Sequence, residues 1–235
     1  MNAHSYFATA DSYLNVQWRE SRSPWSQKAV LPFVTISRES GSGGTSLARA
    51  LARALNSQSA EDISWNVYDG NLVKRMLSEN HLSSQLARFL PEDRVSELNS
   101  SVGELVGLHP SLWELTRKTV KTMAGLAREG HAILVGRGAN FATADVPNGL
   151  HVRLVASPEH RARYISSLYG LSEREAFLYN AKRDAAARRY VATIYGRKIT
   201  EESAYDLVIN TERISIAEAV MQIAALVRAR SPRSR

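Results

Sequence analysis

Cysteine is missing from all 235 residues. That excludes disulfides, thiolate zinc sites and cysteine nucleophiles, and it fits a reducing cytoplasm. Long apolar runs are missing too, since none approaches the roughly 20 residues needed to span a bilayer. The first 30 residues carry Asp11, Arg19, Glu20 and Arg22 and no apolar segment of the kind a secretory signal needs. The expectation is a cytoplasmic protein with no membrane partner. The histidines, His4, His81, His109, His131, His151 and His160, show no metal-ligand spacing. Ser42, Thr45 and Ser46 do not sit in a nucleophile elbow, which argues against a hydrolase triad.

What is present describes a globular chain. Hydrophobic residues make up 44% and charged residues 23%, the balance of a folded domain with a core. The formal charge is +7, and such an excess attracts polyanions. A nucleotide phosphate site would use it, and so would a solvated basic surface with an arginine-rich end. No helix-turn-helix or base-stacking signature accompanies the charge, so nucleic acid is not the expected partner.

Short apolar runs alternate with longer segments of helical period. Val30 to Ser37, Asn66 to Asp69, Ala132 to Val135, His151 to Ala156 and Tyr205 to Ile209 read as strands. Leu47, Ala50, Leu51, Ala54 and Leu55 recur at helical spacing. Further helices are expected from about Leu112 to Gly130, from Pro158 to about Tyr169, and over 172–190. The last of these opens on Ser172 with Glu175 three residues on, a capping box. Ile214 to Leu226 forms a final amphipathic helix. Strands alternating with helices imply a parallel sheet covered on both faces. Ligands of such sheets bind at the carboxyl ends of the strands. Residues 1–29 read as an N-terminal extension, 30–229 as the folded domain and 230–235 as a basic tail.

Four segments could carry chemistry. Ser37 to Ser46 joins a strand to a helix and contains Gly41, Gly43 and Gly44. Glycines let successive backbone N–H groups turn toward one anion, and the helix N-terminus adds its dipole. The strict phosphate-loop pattern fails, because Gly44 stands where a lysine is expected. Arg38 is the nearest cation. Asp69 to Arg75 ends a strand on a carboxylate and continues into a helix with Lys74 and Arg75. Taken alone, it reads as a capped helix with a solvated basic face. Arg137, between Gly136 and Gly138 at a strand end, is poorly explained by packing and better explained as a phosphate clamp. Lys182 to Arg189 is either a charged surface helix or a cluster that neutralises phosphate charge.

In this order and spacing the segments resemble the cytidylate kinase-like family of nucleoside monophosphate kinases. The carrying stretches are VTISRESGSGG at 34–44, YDGNLVKRM at 68–76, ILVGRGAN at 133–140, HVRLVASPEHRARY at 151–164, KRDAAARRYVATIYGRK at 182–198 and YDLVINTERISIAEAV at 205–220. The resemblance implies a three-layer P-loop NTPase fold, α/β, with a five-stranded parallel sheet flanked by helices. It implies a monophosphate-binding insert over about 70–130 and a mobile lid over about 182–200. It also implies transfer of the γ-phosphoryl of ATP to a nucleoside monophosphate, CMP or dCMP, with Mg2+.

Carried over by position, Gly41, Ser42, Gly43, Gly44, Thr45 and Ser46 would hold the donor phosphates, with Ser46 at the metal-side hydroxyl. Asp69, Arg75 and Arg137 would lie on the acceptor side. Arg183, Arg188 and Arg189 would be lid arginines, and either these or Arg38 would supply the missing charge. Two positions depart from well-studied bacterial cytidylate kinases: Gly44 replaces the loop lysine, and Val135 stands where those enzymes have an aspartate. An alternative is a catalytically degenerate protein that binds nucleotide or phosphate without transferring it. Monomer and homodimer both remain open.

Overall fold

A computed structural model describes residues 31–57, 64–69 and 110–231. Its strands are β1 (Phe33–Arg38), β2 (Asn66–Tyr68), β3 (Ala132–Val135), β4 (Gly149–Val155) and β5 (Leu207–Asn210). The helices are α1 (Gly44–Asn56), α2 (Pro110–Glu129), α3 (Ala139–Ala142), α4 (Pro158–Tyr169), α5 (Glu173–Tyr195) and α6 (Ile216–Arg230). The sheet order is β2-β3-β1-β4-β5, and every pairing is parallel. All five carboxyl ends therefore lie along one edge, with β1 in the middle. This is the expected five-stranded parallel sheet flanked by helices.

Alternation along the strands sorts side chains to two faces. Val34 and Ile36 of β1, Ile133 and Val135 of β3, and Leu150, Val152 and Leu154 of β4 pack against α1 and α6. Phe33, Ala132 and Leu134 face α2 and α3 instead. The second face of β1 and β4 is buried but polar, with Thr35, Ser37 and Arg153 each less than a tenth exposed. Buried polar groups need partners, and these have them. Thr35 Oγ1 lies 2.9 Å from His151 Nδ1, and Arg153 Nη1 donates to Ser37 Oγ at 3.3 Å.

α4 and α5 form a hairpin turned at Gly170, a left-handed residue at φ 68°. Ser157 caps α4 with Pro158 in its first turn. The Ser172–Glu175 box starts α5 as the spacing predicts, and Ser215 with Glu218 repeats the device at α6. α5 runs to Tyr195, five residues beyond the expected end, because Gly196 supplies the left-handed stop. The strand expected at 205–209 begins two residues later and ends one later, at Leu207–Asn210, paired with β4.

Candidate functional site

The loop after β1 is shaped by two glycines. Gly41 and Gly43 have φ of 83° and 80°, a region costly for side-chain-bearing residues. Gly43 is the N-cap of α1, whose first turn carries no acidic residue. The positive end of the helix dipole therefore meets no counter-charge from its own first turn. Ser42 is buried, and its hydroxyl donates to Glu39 O at 2.8 Å. Of the six residues expected to hold donor phosphates, Ser42 thus shapes the turn while the other five line a cavity. Ser46 Oγ stands 3.0 Å from the Tyr164 hydroxyl, and Thr45 is exposed.

Beneath the loop lies a buried ionic network. Arg161, 8% exposed, donates through Nε to Ala156 O at 3.1 Å. Its Nη1 donates to Ser40 O at 2.8 Å and to Asp184 Oδ2 at 2.7 Å. The other Asp184 oxygen accepts from Ser40 N–H at 2.7 Å. Glu39 completes the arrangement. It lies 3.5 Å from Arg161 Nε and 3.9 Å from Arg153 Nη2, and it accepts from Ala156 N–H at 3.2 Å. Two arginines and two carboxylates so tie the loop, the end of β4, α4 and α5 together. The packing is close: a Cβ on Gly41 would lie 2.6 Å from Arg161 O.

Above the loop is an open cavity of about 380 Å³, within the range of small-ligand sites. Arg38, Arg49 and Arg183 line it, and so do Tyr164, Tyr169 and Tyr179. Its two carboxylates, Glu39 and Asp184, are those held by Arg161 and Arg153. Arg183 stacks its guanidinium 5.4 Å from the Tyr179 ring centre. Burial and the neighbouring Tyr179 raise the pKa of Tyr169.

Arg38 and Arg137 meet at the next strand end. Gly136, Arg137 and Gly138 have φ of 78°, 54° and 63°, three successive left-handed residues. For Arg137 that conformation is strained, and such strain concentrates at functional positions. Tyr195 braces the turn by donating its hydroxyl to Arg137 O at 2.9 Å. Burial, with Tyr190 adding to it, holds the Tyr195 pKa far above its usual value, so the donor stays protonated. A water-sized pocket of about 10 Å³ over Ser37, Arg38, Gly136, Arg137 and Tyr190 adjoins the loop cavity, and Arg38 lines both. Asp69 follows Tyr68, which pairs with Leu134 of β3, so it stands at the same edge.

The structure thus brings Arg38, Arg137, Arg183 and the loop to one edge. Arg188 and Arg189 are exposed on other faces of α5 and do not line the cavity, because residues five and six apart on a helix are well out of phase with Arg183. Arg75 lies outside the described residues. Sequence reasoning did not single out Arg49, Tyr164 and Asp184, which line the cavity, or Arg161, which holds the loop from beneath. Among the described residues no three acidic or histidine side chains converge on a metal position, and no helix is long and apolar enough to cross a membrane.

Residues 33–213 match the model of the Cytidylate kinase-like family. A cytidylate kinase of Pyrococcus horikoshii is 28% identical over 182 residues, covering 77% of this chain and 81% of the relative. One of Pyrobaculum arsenaticum is 29% identical over 188 residues, covering 80% and 88%. An uncharacterized protein of Eubacterium ventriosum has a similar solved structure, with a TM-score of 0.61 at 19% identity, covering 84% of this chain and 98% of that one.

Proposed function

The chain belongs to the cytidylate kinase-like family, and on that premise we propose that it transfers the γ-phosphoryl group of ATP to a nucleoside monophosphate, CMP or dCMP first among them, with magnesium. The observation that supports this best is the glycine loop at the N-terminus of α1, opening on a cavity lined by three arginines. Phosphoryl transfer requires little covalent chemistry from a protein; it requires positioning and positive charge. Backbone N–H groups of Gly41, Gly43 and Gly44 cradle the donor phosphates. Arg38 and Arg183 neutralise charge on the transferring group. Arg183 takes the lid arginine's part, since Arg188 and Arg189 face elsewhere.

Arg137, held by its strained turn and by Tyr195, binds the acceptor phosphate, with Asp69 at the same edge; the family pattern gives Arg75 a share in that role. A phosphate acceptor has its second pKa at about 6 and is largely ionised at neutral pH, so it needs no general base. The cavity matches that need, because both of its carboxylates are committed to arginines. A magnesium ion suits the residues present: a hydroxyl of Thr45 or Ser46 would supply the protein ligand, and phosphates and water the rest. It would contribute charge neutralisation between the β- and γ-phosphates.

A coupled assay with ATP, magnesium and a panel of nucleoside monophosphates tests the reading. Turnover of a pyrimidine monophosphate above all others is expected. ATP binding by calorimetry with no transfer to any acceptor would instead establish the phosphate-binding alternative.

A further inference from the structure

Gly44 has no backbone reason to be glycine. It is the first residue of α1, and unlike Gly41 and Gly43 it is not left-handed. Glycine is a poorer helix former than alanine. The reason is space. A Cβ on Gly44 would lie 2.9 Å from Cγ, 3.2 Å from Cβ and 3.3 Å from Cδ of Arg38. The stem of Arg38 occupies the volume that a side chain at position 44 would enter.

The phosphate-loop pattern sharpens the point. Its two glycines stand five apart, with the lysine directly after the second. Laid on Gly43 and Gly44, the pattern places its first glycine at position 38. This chain has arginine where the pattern has glycine, and glycine where it has lysine. We propose that these two departures are one exchange: the phosphate-binding cation has moved from the helix start to the end of β1, and Gly44 is the clearance it requires. The proposal rests on the phosphoryl-transfer reading and names the residue that makes that site workable.

The head of Arg38 supports the same conclusion. A Cβ on Gly136 would lie 2.6 Å from its Nη1 and 3.0 Å from Cζ. The guanidinium therefore reaches across to β3, beside Arg137, at the border between the loop cavity and the small pocket. A phosphoryl group passing from the donor loop to an acceptor on Arg137 crosses that border. A planar fork there can hold oxygens of both partners, which a lysine ammonium does only as a point charge. Gly136 serves this arrangement twice, by its left-handed turn and by leaving room for the head.

The test is a four-protein cycle: native, R38G, G44K and R38G/G44K, with thermal unfolding as a control for folding. MgATP affinity by calorimetry and turnover of CMP are read on each. R38G is expected to lose roughly 100-fold in turnover, the scale for removing one preorganised charge stabiliser, and about 10-fold or more in affinity. G44K is also expected to lose, because two stems compete for one volume. The double variant regains the lysine pattern and is expected to exceed both single variants by about 10-fold. Losses that simply multiply in the double variant, or an R38G protein as active as the native one, would overturn the exchange. G44A supplies the steric arm alone, with expected weakening of ATP binding and no new charge. The binding readout separates this inference from the functional reading. A non-multiplicative pattern in ATP affinity without any transfer upholds the exchange and refutes the kinase. Turnover by the native protein with a multiplicative pattern does the reverse. No ATP binding by the native protein defeats both.

Discussion

Replacing Asp184 with alanine should loosen the junction between the loop and α5. The carboxylate serves two partners at once, Ser40 N–H and the buried Arg161 Nη1, each at 2.7 Å. The side chains of Arg161 and Asp184 are only 10% and 13% exposed. Breaking a buried ion pair from one side typically costs about 3–5 kcal/mol, because the other charge is left unpaired. Arg161 would not be left entirely alone, since Glu39 remains at 3.5 Å and the Ala156 and Ser40 carbonyls still accept. We therefore expect about 2–3 kcal/mol, which for a chain of this size lowers the thermal midpoint by about 5–10 °C. D184N keeps an acceptor for Ser40 N–H but puts an NH2 donor against Arg161 Nη1 where the second oxygen accepted, so an effect close to that of D184A is expected. Thermal unfolding by circular dichroism measures both, and ATP affinity should fall alongside because Ser40 belongs to the loop. A D184A midpoint within about 1 °C of the native protein would refute the idea that this network holds the loop.

Two further predictions concern buried groups. Asn180 is 3% exposed, and among the described residues both atoms of its amide lack a hydrogen-bond partner; an unsatisfied buried polar group costs about 1–3 kcal/mol, so N180L should raise the thermal midpoint, and a fall of several degrees would contradict the prediction. Burial lowers the pKa of His131 and of His151 below the usual 6.5, for His151 against the attraction of Asp206. The unfolded chain then takes up protons that the folded chain resists, so stability is complete above about pH 6.5 and declines as pH falls below it. Denaturant midpoints across pH 5–8 should show that decline, with a shallower slope in H151Q, and equal slopes would count against it.

Much of the sheet was legible because its strands are short apolar runs bounded by glycine or by capping residues. Ala132 to Val135 and the glycine loop after β1 needed nothing else. The polar second face of β1 and β4 was harder to see. Thr35, Ser37, His151 and Arg153 alternate with apolar residues there, and that pattern ordinarily signals a solvated face rather than a buried network. Arg161 reads as one more surface cation on a helix rich in them, and only tertiary packing places it under the loop. The phase of α5 was equally hidden. Its inward residues are Ala176, Asn180, Ala186, Ala187, Tyr190 and Val191, too small and mixed to mark a stripe, so nothing fixed Arg183 inward and Arg188 outward. The relation between Arg38 and Gly44 was half visible. Spacing shows the lysine gone and an arginine nearby, but only the folded loop brings the stem of Arg38 into the room beside Gly44.

The most direct test of the account is transfer of label from γ-labelled ATP to CMP in the presence of magnesium, followed as labelled diphosphate formed by the native protein. Formation of labelled CDP, lost on R38G substitution and on magnesium removal, is the predicted result. A protein that binds ATP and never labels CMP or any other monophosphate would contradict it.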